Sequence, residues 1–563
     1  MNPTADALHR LFAAEWDYQM EQHPTWASVL GDRRWNDRWP DQSVGAIEKR
    51  HAHDLAVVAK LKSFDRTALS PSDQLNYDLF LKDYTDDAES FRFHRYLMPL
   101  DQRGGIQTVD ELADSLRFET LKDYEDWLAR LRAFPAYMTQ TIALMREGVK
   151  ERMVLPRIVL ERIPAQIDHQ IVGDPKTSPF FRPFKNIARS IATADRSRIS
   201  TAAEQAISSS IVPQFKLLRE FFLNDYLPAG TNEVGAWQLP NGSGLYAFLV
   251  RRHTTTDLTP EEIHKIGLEE VARIHDEMQN VIDGLGFKGS FQEFAGFLRT
   301  DPQFYYRSSE ELLEGYRALT RRIDPILVKF FKTLPRIPYG VEPIPENIAP
   351  DTTTAYYMPP AADGSRAGTY YVNLYKPETR PKYEMMALSL HEAVPGHHLQ
   401  IALAMENEGI PNFRRHGGYT AFVEGWGLYA ESLGEAMGLY DNPYSKFGQL
   451  MYEMWRAVRL VVDTGIHSMR WDRQKAIDFY LQNTARQELD AVNEIDRYIA
   501  MPGQALAYKV GQLKIAAIRR KAEKSLGEKF DVRAFHDAIL KEGALPLDIL
   551  EARMNQWIDQ QSR

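Results

Sequence analysis

Apolar residues recur at intervals of three and four positions through most of this 563-residue chain, and this pattern favours a mainly α-helical fold. The segment from Thr259 to Ile282 shows it clearly. Thr259 is placed as an N-cap, Pro260 occupies the first helical position, and Glu262 completes a capping box. We therefore expect long amphipathic helices rather than an extended sheet.

One region breaks the helical pattern shortly before residue 380. Thr353–Met358 and Gly368–Leu374 are rich in Thr, Tyr and Val and are separated by a loop of Pro, Gly and Asp. This composition predicts two strands of a small antiparallel sheet. We expect Tyr370, Tyr371 and Asn373 to lie on an edge strand, where an extended peptide could bind through main-chain hydrogen bonds.

Composition narrows the classes of partner and of metal site. The chain has no cysteine, so any metal must be held by His and carboxylate side chains. A net charge of −9 argues against nucleic acid as the main partner. No apolar run approaches the ~20 residues that span a bilayer, and the first residues do not have the pattern of a leader peptide.

These features predict a cytoplasmic protein as the sequence is written, or a periplasmic or secreted one if a leader was removed. They do not distinguish a monomer from a homodimer.

The motif HEAVPGHH, at residues 391–398, lies inside a strongly helical stretch. In the usual H-E-x-x-H pattern two His one turn apart bind zinc. Here the position one turn after His391 is Pro395, which cannot bind a metal. In an undistorted helix His398 would share the face of His391 but lie ~10.5 Å further along the axis. That separation is too long for two ligands of one zinc ion.

Pro395 disrupts a helix, and Gly396 tolerates the local change in backbone conformation. A helical bulge that absorbs two residues would bring His397 back into phase with His391. We therefore prefer His397 as the second zinc ligand and keep His398 as the alternative. A kinked core helix with hydrogen-bonded imidazoles is the competing interpretation.

A third ligand is expected from the helix predicted at residues 420–438. Glu424 lies 27 residues after His397, and Glu431 follows seven residues later on the same helix face. Two carboxylates among Phe and Trp side chains need partners if they are buried. We expect Glu424 to bind zinc and Glu431 to accept a hydrogen bond from a ligand imidazole. Solvent-facing glutamates are the alternative.

Glu392 directly follows the first expected ligand. In this arrangement it is the candidate general base, taking a proton from the zinc-bound water during attack on a carbonyl and then passing it to the departing amine. Together with the expected zinc ion, this predicts a metallopeptidase that hydrolyses peptides.

HEAVPGHHLQ and EGWGLYAE resemble the signature pair of the bacterial domain of unknown function 885 family. WQLPNGSGLYAFLVRRHTTTDLTPEEIHKIG, RLVVDTGIH and RYIAMPGQALAYKVG resemble the same family in the same order. More distantly, the site is similar to those of carboxypeptidase Taq, thimet oligopeptidase and angiotensin-converting enzyme, and dipeptidyl peptidase III offers a precedent for a widened motif. Matching GHHL to the G-H-x-L pattern of these peptidases again makes His397 the second ligand.

The resemblance implies a helical zinc-peptidase fold of two lobes that forms one continuous body over residues 1–563. It also implies a deep central cleft with the small sheet at its edge, and a catalytic core over residues 345–435. By the same resemblance, the activity expected is that of a carboxypeptidase or an oligopeptidase acting on short peptides.

Supporting roles are expected near the C-terminal end. Tyr498 and Tyr508 are candidate catalytic donors to the oxyanion, with core packing as the alternative. Arg497 and Lys509 are candidates to bind a substrate carboxylate.

Asp463 and His467 lie four residues apart on one helix face. They are expected to support the site as a hydrogen-bonded pair or as a proton relay, or to form a plain structural salt bridge.

Two other functions remain compatible with the sequence. The same zinc site could hydrolyse a non-peptide amide or ester, as in a small-molecule amidohydrolase. The chain could also be a non-catalytic binding protein that keeps this fold, although the intact Glu392 argues against it.

Overall fold

The protein is described by a computed structural model that covers residues 2–346, 349 and 353–563. Helices dominate it, which confirms the mainly α prediction. The chain divides into two compact units, Met1–Gly242 and Ser243–Arg563. The helices of seven residues or more in the first unit are α1 Pro3–Gln22, α2 Pro24–Leu30, α3 Val44–Lys62, α4 Pro71–Ser90, α5 Leu121–Glu151, α6 Ile163–His169, α7 Thr193–Ala206 and α8 Val212–Phe221.

The second unit contains every residue that the sequence places in the expected site. Its helices of seven residues or more are α9 Gly242–Thr254, α10 Pro260–Gly284, α11 Phe291–Thr300, α12 Ser309–Ile323, α13 Lys382–Glu392, α14 His397–Glu406, α15 Thr420–Ala436, α16 Pro443–His467, α17 Arg473–Asn483, α18 Glu488–Ala500, α19 Ala507–Leu526, α20 Val532–Leu540 and α21 Leu547–Ser562.

Helix α10 begins where the sequence predicts. The Thr259 side chain accepts from the Glu262 backbone, and the Glu262 carboxylate accepts from Thr259, so both halves of the capping box form. The apolar positions of this helix, among them Ile263, Val271 and Ile274, are buried. Local capping and the spacing of apolar residues are therefore sufficient to place this helix.

A three-stranded sheet precedes α13 in the chain. Its strands are β1 Tyr339–Pro343, β2 Ala355–Met358 and β3 Gly368–Val372, in the order β1-β3-β2. Strands β2 and β3 pair antiparallel, with Tyr356 opposite Tyr371, as the sequence predicts. Strand β1, which the sequence analysis did not predict, pairs parallel with β3. The outer strands of this sheet are therefore β1 and β2.

Helix α16 forms the centre of the second unit. It packs against α10, α13, α15, α18 and α19. From Phe447 to His467 every residue is buried except Trp455, which is partly exposed. Helices α15 and α19 cross closely, because a Cβ on Gly425 would meet the Gly511 backbone at 2.5 Å. The described residues contain no helix that is long and apolar enough to cross a membrane.

Candidate metal centre

The HEAVPGHH motif forms a helix break. Helix α13 ends at Glu392 and α14 begins at His397, with a cis peptide bond between Val394 and Pro395. The predicted two-residue bulge is therefore wrong in form, because residues 393–396 leave the helical conformation altogether. A Cβ on Gly396 would overlap the carbonyl oxygen of His391, so only glycine fits where the chain folds back over the end of α13.

The break turns His397 towards His391. Their imidazole rings lie 4.6 Å apart between centroids and are nearly perpendicular, at 86°. The indole Nε1 of Trp426 on α15 donates a hydrogen bond to the carbonyl oxygen of Pro395 at 2.8 Å and so holds the break against that helix. The imidazole preferred from the sequence, that of His397, therefore lies next to His391, although the backbone reaches this position by a break rather than a bulge.

Glu424 on α15 completes a group of three. Its Oε2 lies 3.5 Å from Nε2 of His391 and 3.5 Å from Nε2 of His397. One potential ligand atom from each of the three residues lies within 4.8 Å of the other two. The side chains of His391 and His397 are 3% and 11% exposed, and that of Glu424 is 19% exposed, so solvent reaches the group from one side.

The spacing of these atoms matches a small tetrahedral ion. At metal–ligand distances of ~2.0–2.1 Å, the ligand atoms of tetrahedral zinc are ~3.4 Å apart. Two of the three separations here are 3.5 Å. Two imidazole nitrogens and one carboxylate oxygen also form the donor set of many catalytic zinc sites, in which one position stays open for water. The residues therefore fit zinc both by chemistry and by spacing.

The environment of His391 fixes its orientation. Its Nδ1 lies 2.8 Å from Oε1 of Glu431, which is fully buried. The same carboxylate oxygen is 3.3 Å from Nη2 of Arg456 on α16. A Cβ on Gly427 would lie only 2.7 Å from Cε1 of His391, so glycine at this position leaves room for the ring. The structure thus places Glu431 where the sequence expected it, against a candidate ligand imidazole.

The electrostatics of the group favour a bound cation. Burial lowers the pKa of His391, but hydrogen bonds to Glu424 and Glu431 outweigh this effect and raise the pKa to about 10. Burial raises the pKa of Glu424, yet hydrogen bonds to His391 and His397 bring it well below its usual range. Positive charge on His391 is therefore stabilised by the carboxylates of Glu424 and Glu431, and the same carboxylates would stabilise a metal ion in place of the proton.

His398 points to different partners. Its Nδ1 lies 2.8 Å from the hydroxyl of Tyr357 on β2, and its Nε2 lies 3.1 Å from the carbonyl oxygen of Ile337. Burial lowers its pKa to about 4, which favours the neutral ring. His398 therefore links α14 to the sheet, and the structure brings His397 rather than His398 to Glu424.

Glu392 and Tyr508 lie next to His391 of the candidate metal centre. Glu392 ends α13 directly after His391 and is partly exposed, whereas the residues on both sides of it are buried. Tyr508, at the start of α19, lies almost parallel to the His391 ring at 20° and 6.5 Å between centroids. Both candidates from the sequence are therefore adjacent to His391.

Comparisons with known proteins give the family. A model of the family described as "Bacterial protein of unknown function (DUF885)" matches residues 24–554. The chain belongs to this DUF885 family. The comparison with curated proteins found no match.

Two solved structures share the fold of this DUF885 chain. A "putative lipoprotein" from Colwellia psychrerythraea is 28% identical, with a TM-score of 0.92 and 100% of both chains covered. A "putative lipoprotein of unknown function" from Shewanella oneidensis is 19% identical, with a TM-score of 0.74 over 98% of this chain and 99% of that chain. The second likeness shows the fold alone.

Tyr498, a candidate oxyanion donor, and Lys509, a candidate for binding a substrate carboxylate, both have partners within the protein. The hydroxyl of Tyr498 donates to Glu494 at 2.6 Å and accepts from Nε of Arg459 at 2.8 Å, so it is already engaged. Lys509 is fully buried, with its Nζ at 2.7 Å from Glu453.

The Lys509 amine also contacts Glu270 at 2.9 Å and Gln512 at 3.0 Å, so all three of its N–H bonds have acceptors. A substrate carboxylate therefore cannot reach Lys509, and its assignment to substrate binding is wrong. The sequence could not show this because both carboxylate partners come from distant helices, Glu270 from α10 and Glu453 from α16.

The predicted edge strand is the central strand of the sheet. Tyr370 is fully buried and packs edge-to-face on Tyr316, with centroids 5.8 Å apart. Tyr371 stacks on Tyr356 of β2, and the Asn373 amide donates to the carbonyl oxygen of Ala349 at 2.7 Å.

Strand β1 covers the side of β3 that was expected to be open, so a peptide cannot add to β3 there. Because β1 is short and contains both Gly and Pro, its sequence does not have the pattern of a strand.

Asp463 and His467 bind the turn after α18. Asp463 accepts from the Tyr246 hydroxyl at 2.6 Å and from the Gly503 backbone at 3.1 Å. Nε2 of His467 lies 2.9 Å from the carbonyl oxygen of Tyr498. Asp463 therefore holds the turn between α18 and α19, and His467 holds the last turns of α18; Tyr508 follows at the start of α19.

A cluster of three arginines around Trp455, two of them buried, was not predicted from the sequence. The guanidinium carbons of three arginines lie 4.4–4.7 Å from the centroid of the Trp455 ring; they are Arg456, Arg459 and Arg486. Arg456 and Arg459 stand three residues apart on α16, in a stretch that is otherwise largely apolar. Charged residues in an apolar helix are a recognisable signal for a buried polar site.

Proposed function

We propose that this DUF885 protein is a zinc-dependent peptidase in which His391, His397 and Glu424 hold the metal. The observation that carries the proposal is the convergence of these three side chains, with the two imidazoles each 3.5 Å from one carboxylate oxygen. The hydrogen bond from His391 to Glu431 adds the outer carboxylate that is typical of zinc-binding imidazoles.

Zinc at this position would supply Lewis acidity, polarising a substrate carbonyl and lowering the pKa of a water molecule. The remaining chemistry belongs to the chain's own side chains. In this proposal Glu392 takes a proton from the attacking water and gives it to the amine that leaves when the peptide bond breaks. Its position directly after the buried His391 and its partial exposure support that role.

Tyr508 is the better of the two tyrosine candidates for stabilising the oxyanion. Its ring lies beside His391, and its residue is 9% exposed. The hydroxyl of Tyr498 already contacts Glu494, Arg459 and Trp455, so we assign Tyr498 to the support of that network. A phenol that donates to a developing negative charge would act without a change in its own protonation.

One relative bears on where the protein acts. The Colwellia psychrerythraea protein, 28% identical with both chains fully covered, is described as a putative lipoprotein. We infer by analogy that this protein also acts in the cell envelope, which replaces the cytoplasmic expectation. Zinc coordination by His and carboxylate is compatible with an oxidising compartment because it uses no thiol.

The experiment that tests the function combines metal content with turnover. Purified protein should contain about one zinc per chain and should hydrolyse short peptides, and Glu392→Gln should keep the zinc while losing turnover. A panel of N- and C-blocked peptides and non-peptide amides separates the peptidase from an amidohydrolase. Activity restricted to the non-peptide amides would reject the peptidase assignment while leaving the zinc site intact.

A further inference from the structure

Three arginines around Trp455, and Arg497, which shares Glu494 with one of them, each keep a buried donor without an acceptor among the described residues. We define the arginine cluster as Arg456, Arg459, Arg486 and Arg497. The unpartnered buried atoms are Nε of Arg456, Nη1 of Arg459, Nε of Arg486 and Nε of Arg497. A buried N–H without a partner costs ~1–3 kcal/mol, so four of them in one region indicate a missing acceptor.

Two guanidinium groups of the arginine cluster contact the same carboxylate. Oε2 of Glu494 lies 3.1 Å from Arg459 and 3.4 Å from Arg497, so one carboxylate serves two guanidinium groups. It also accepts from the Tyr498 hydroxyl at 2.6 Å. Asp463 lies near Arg497 but accepts its hydrogen bonds from Tyr246 and Gly503. The pair Arg459–Arg497 therefore keeps positive charge available for another anion.

The cluster adjoins the metal centre by two routes. Arg456 contacts Glu431 at 3.3 Å, and Glu431 binds His391. The guanidinium carbon of Arg459 lies 4.3 Å from the Tyr508 centroid, and that ring stacks on His391 at 6.5 Å. Arg459 is therefore at most about 11 Å from the His391 ring, a span of about three extended residues.

The arginine cluster is partly exposed to solvent. The side chains of Arg486 and Arg497 are 12% and 13% exposed, and Trp455 is partly exposed. The Arg497 Nη2 also lies 3.4 Å from the Tyr508 hydroxyl, which connects the accessible side of the cluster to the residue beside His391. A ligand that contacts Tyr508 would therefore also lie next to Arg497.

We propose that the arginine cluster binds a carboxylate of the substrate next to the metal centre, so that the enzyme cleaves one to three residues from that carboxylate. This inference rests on the proposed peptidase function and adds its substrate class: short peptides with a negatively charged end. The planar guanidinium groups match a carboxylate in shape and charge. The carboxylate is supplied either by the C-terminus or by an acidic side chain close to it.

Three probes separate these two sources: N-acetyl-trialanine, its C-terminal amide, and N-acetyl-Ala-Ala-Glu-amide. Binding to the full-length protein after removal of metal with a chelator is measured by calorimetry. Loss of a charge-assisted hydrogen bond predicts binding of the first amide about tenfold to a hundredfold weaker than that of the acid. Recovery of affinity with the glutamate probe would assign the preference to carboxylates in general, and no recovery would assign it to the C-terminus.

Substitutions test whether the arginine cluster causes the preference for the acid over the amide. Arg497→Met should bring the acid-to-amide affinity ratio close to one, and Arg497→Lys should retain part of it. Arg473→Met is the matched control, because Arg473 forms an ion pair at 2.6 Å with Asp496, the neighbour of Arg497 in the chain. The control should keep the wild-type ratio. Because each ratio is measured within one variant, a general loss of stability does not change it.

The possible results distinguish a failure of the carboxylate subsite from a failure of the peptidase proposal. Equal affinity of the wild-type protein for acid and amide would overturn the carboxylate subsite, even if peptides are hydrolysed. A strong preference for the acid that Arg497→Met removes would support the subsite, even if no peptide is hydrolysed and the peptidase proposal fails. A preference that Arg497→Met leaves unchanged would also overturn the assignment to this cluster.

Discussion

Gly427 offers a sharp test of the metal centre because an added methyl group would press on a single candidate ligand. In Gly427→Ala the Cβ would lie 2.7 Å from Cε1 and 2.8 Å from Nε2 of His391. Ordinary contacts are ~3.5 Å or longer, so the ring must move by roughly 0.8 Å. Sites of this kind tolerate displacements of only ~0.5 Å. We expect zinc affinity to fall by about tenfold to a hundredfold.

The effect on stability should be much smaller than the effect on zinc. Overpacking costs ~1–3 kcal/mol, and replacing Gly by Ala inside a helix recovers ~1 kcal/mol. We therefore expect metal-free Gly427→Ala to be destabilised by only about 0–2 kcal/mol. Urea unfolding of the metal-free protein measures this term, and competition with a chromophoric chelator measures the affinity for zinc.

Gly434→Ala is the matched control on the same helix. Its Cβ would lie 2.6 Å from Leu390 Cδ1 and 2.7 Å from Tyr440 Cε2, so the steric change is similar but no candidate ligand is touched. We expect Gly434→Ala to lose comparable stability and to keep its zinc affinity. Equal zinc affinities in the two variants would refute the reasoning that His391 binds the metal.

Three further predictions follow from other contacts. Glu392→Gln should lower peptide turnover by about 10²–10⁴-fold with zinc content unchanged, and full activity in this variant would exclude Glu392 as the base. Glu431→Gln should weaken zinc binding by about tenfold to a hundredfold, measured by chelator competition, whereas unchanged affinity would remove Glu431 from the support of His391. Burial raises the pKa of Asp463 to about 7, so the folded state binds a proton that the unfolded state releases near pH 4. Wild-type stability should therefore fall as pH rises from 5 to 7, by up to about 1.4 kcal/mol per pH unit relative to Asp463→Asn, and a constant gap in unfolding midpoints would contradict this.

The sequence predicted what depends on local chemistry. Capping residues and apolar spacing placed α10, and the Thr- and Tyr-rich segments predicted β2 and β3. The phase argument selected His397 because a proline must interrupt the helix, although it predicted a bulge where the chain forms a break. These features are set by residues close together in the chain.

The sequence could not predict contacts made between distant segments. Strand β1 pairs with β3 across residues 339–372, and its presence changes which strand is the edge. The acceptors of Lys509 come from α10, α16 and α19, so its burial has no local signature. The arginine cluster likewise assembles from α16, α18 and the loop before α18. Only Arg456 and Arg459 are recognisable from the sequence, as charged residues in a largely apolar helix.

The most direct test of the metal centre is anomalous diffraction from zinc-loaded crystals, recorded on both sides of the zinc absorption edge. We predict one strong peak per chain at ~2.0–2.2 Å from Nε2 of His391, Nε2 of His397 and a carboxylate oxygen of Glu424. No peak at this position, or a peak bound by His398 in place of His397, would contradict the account.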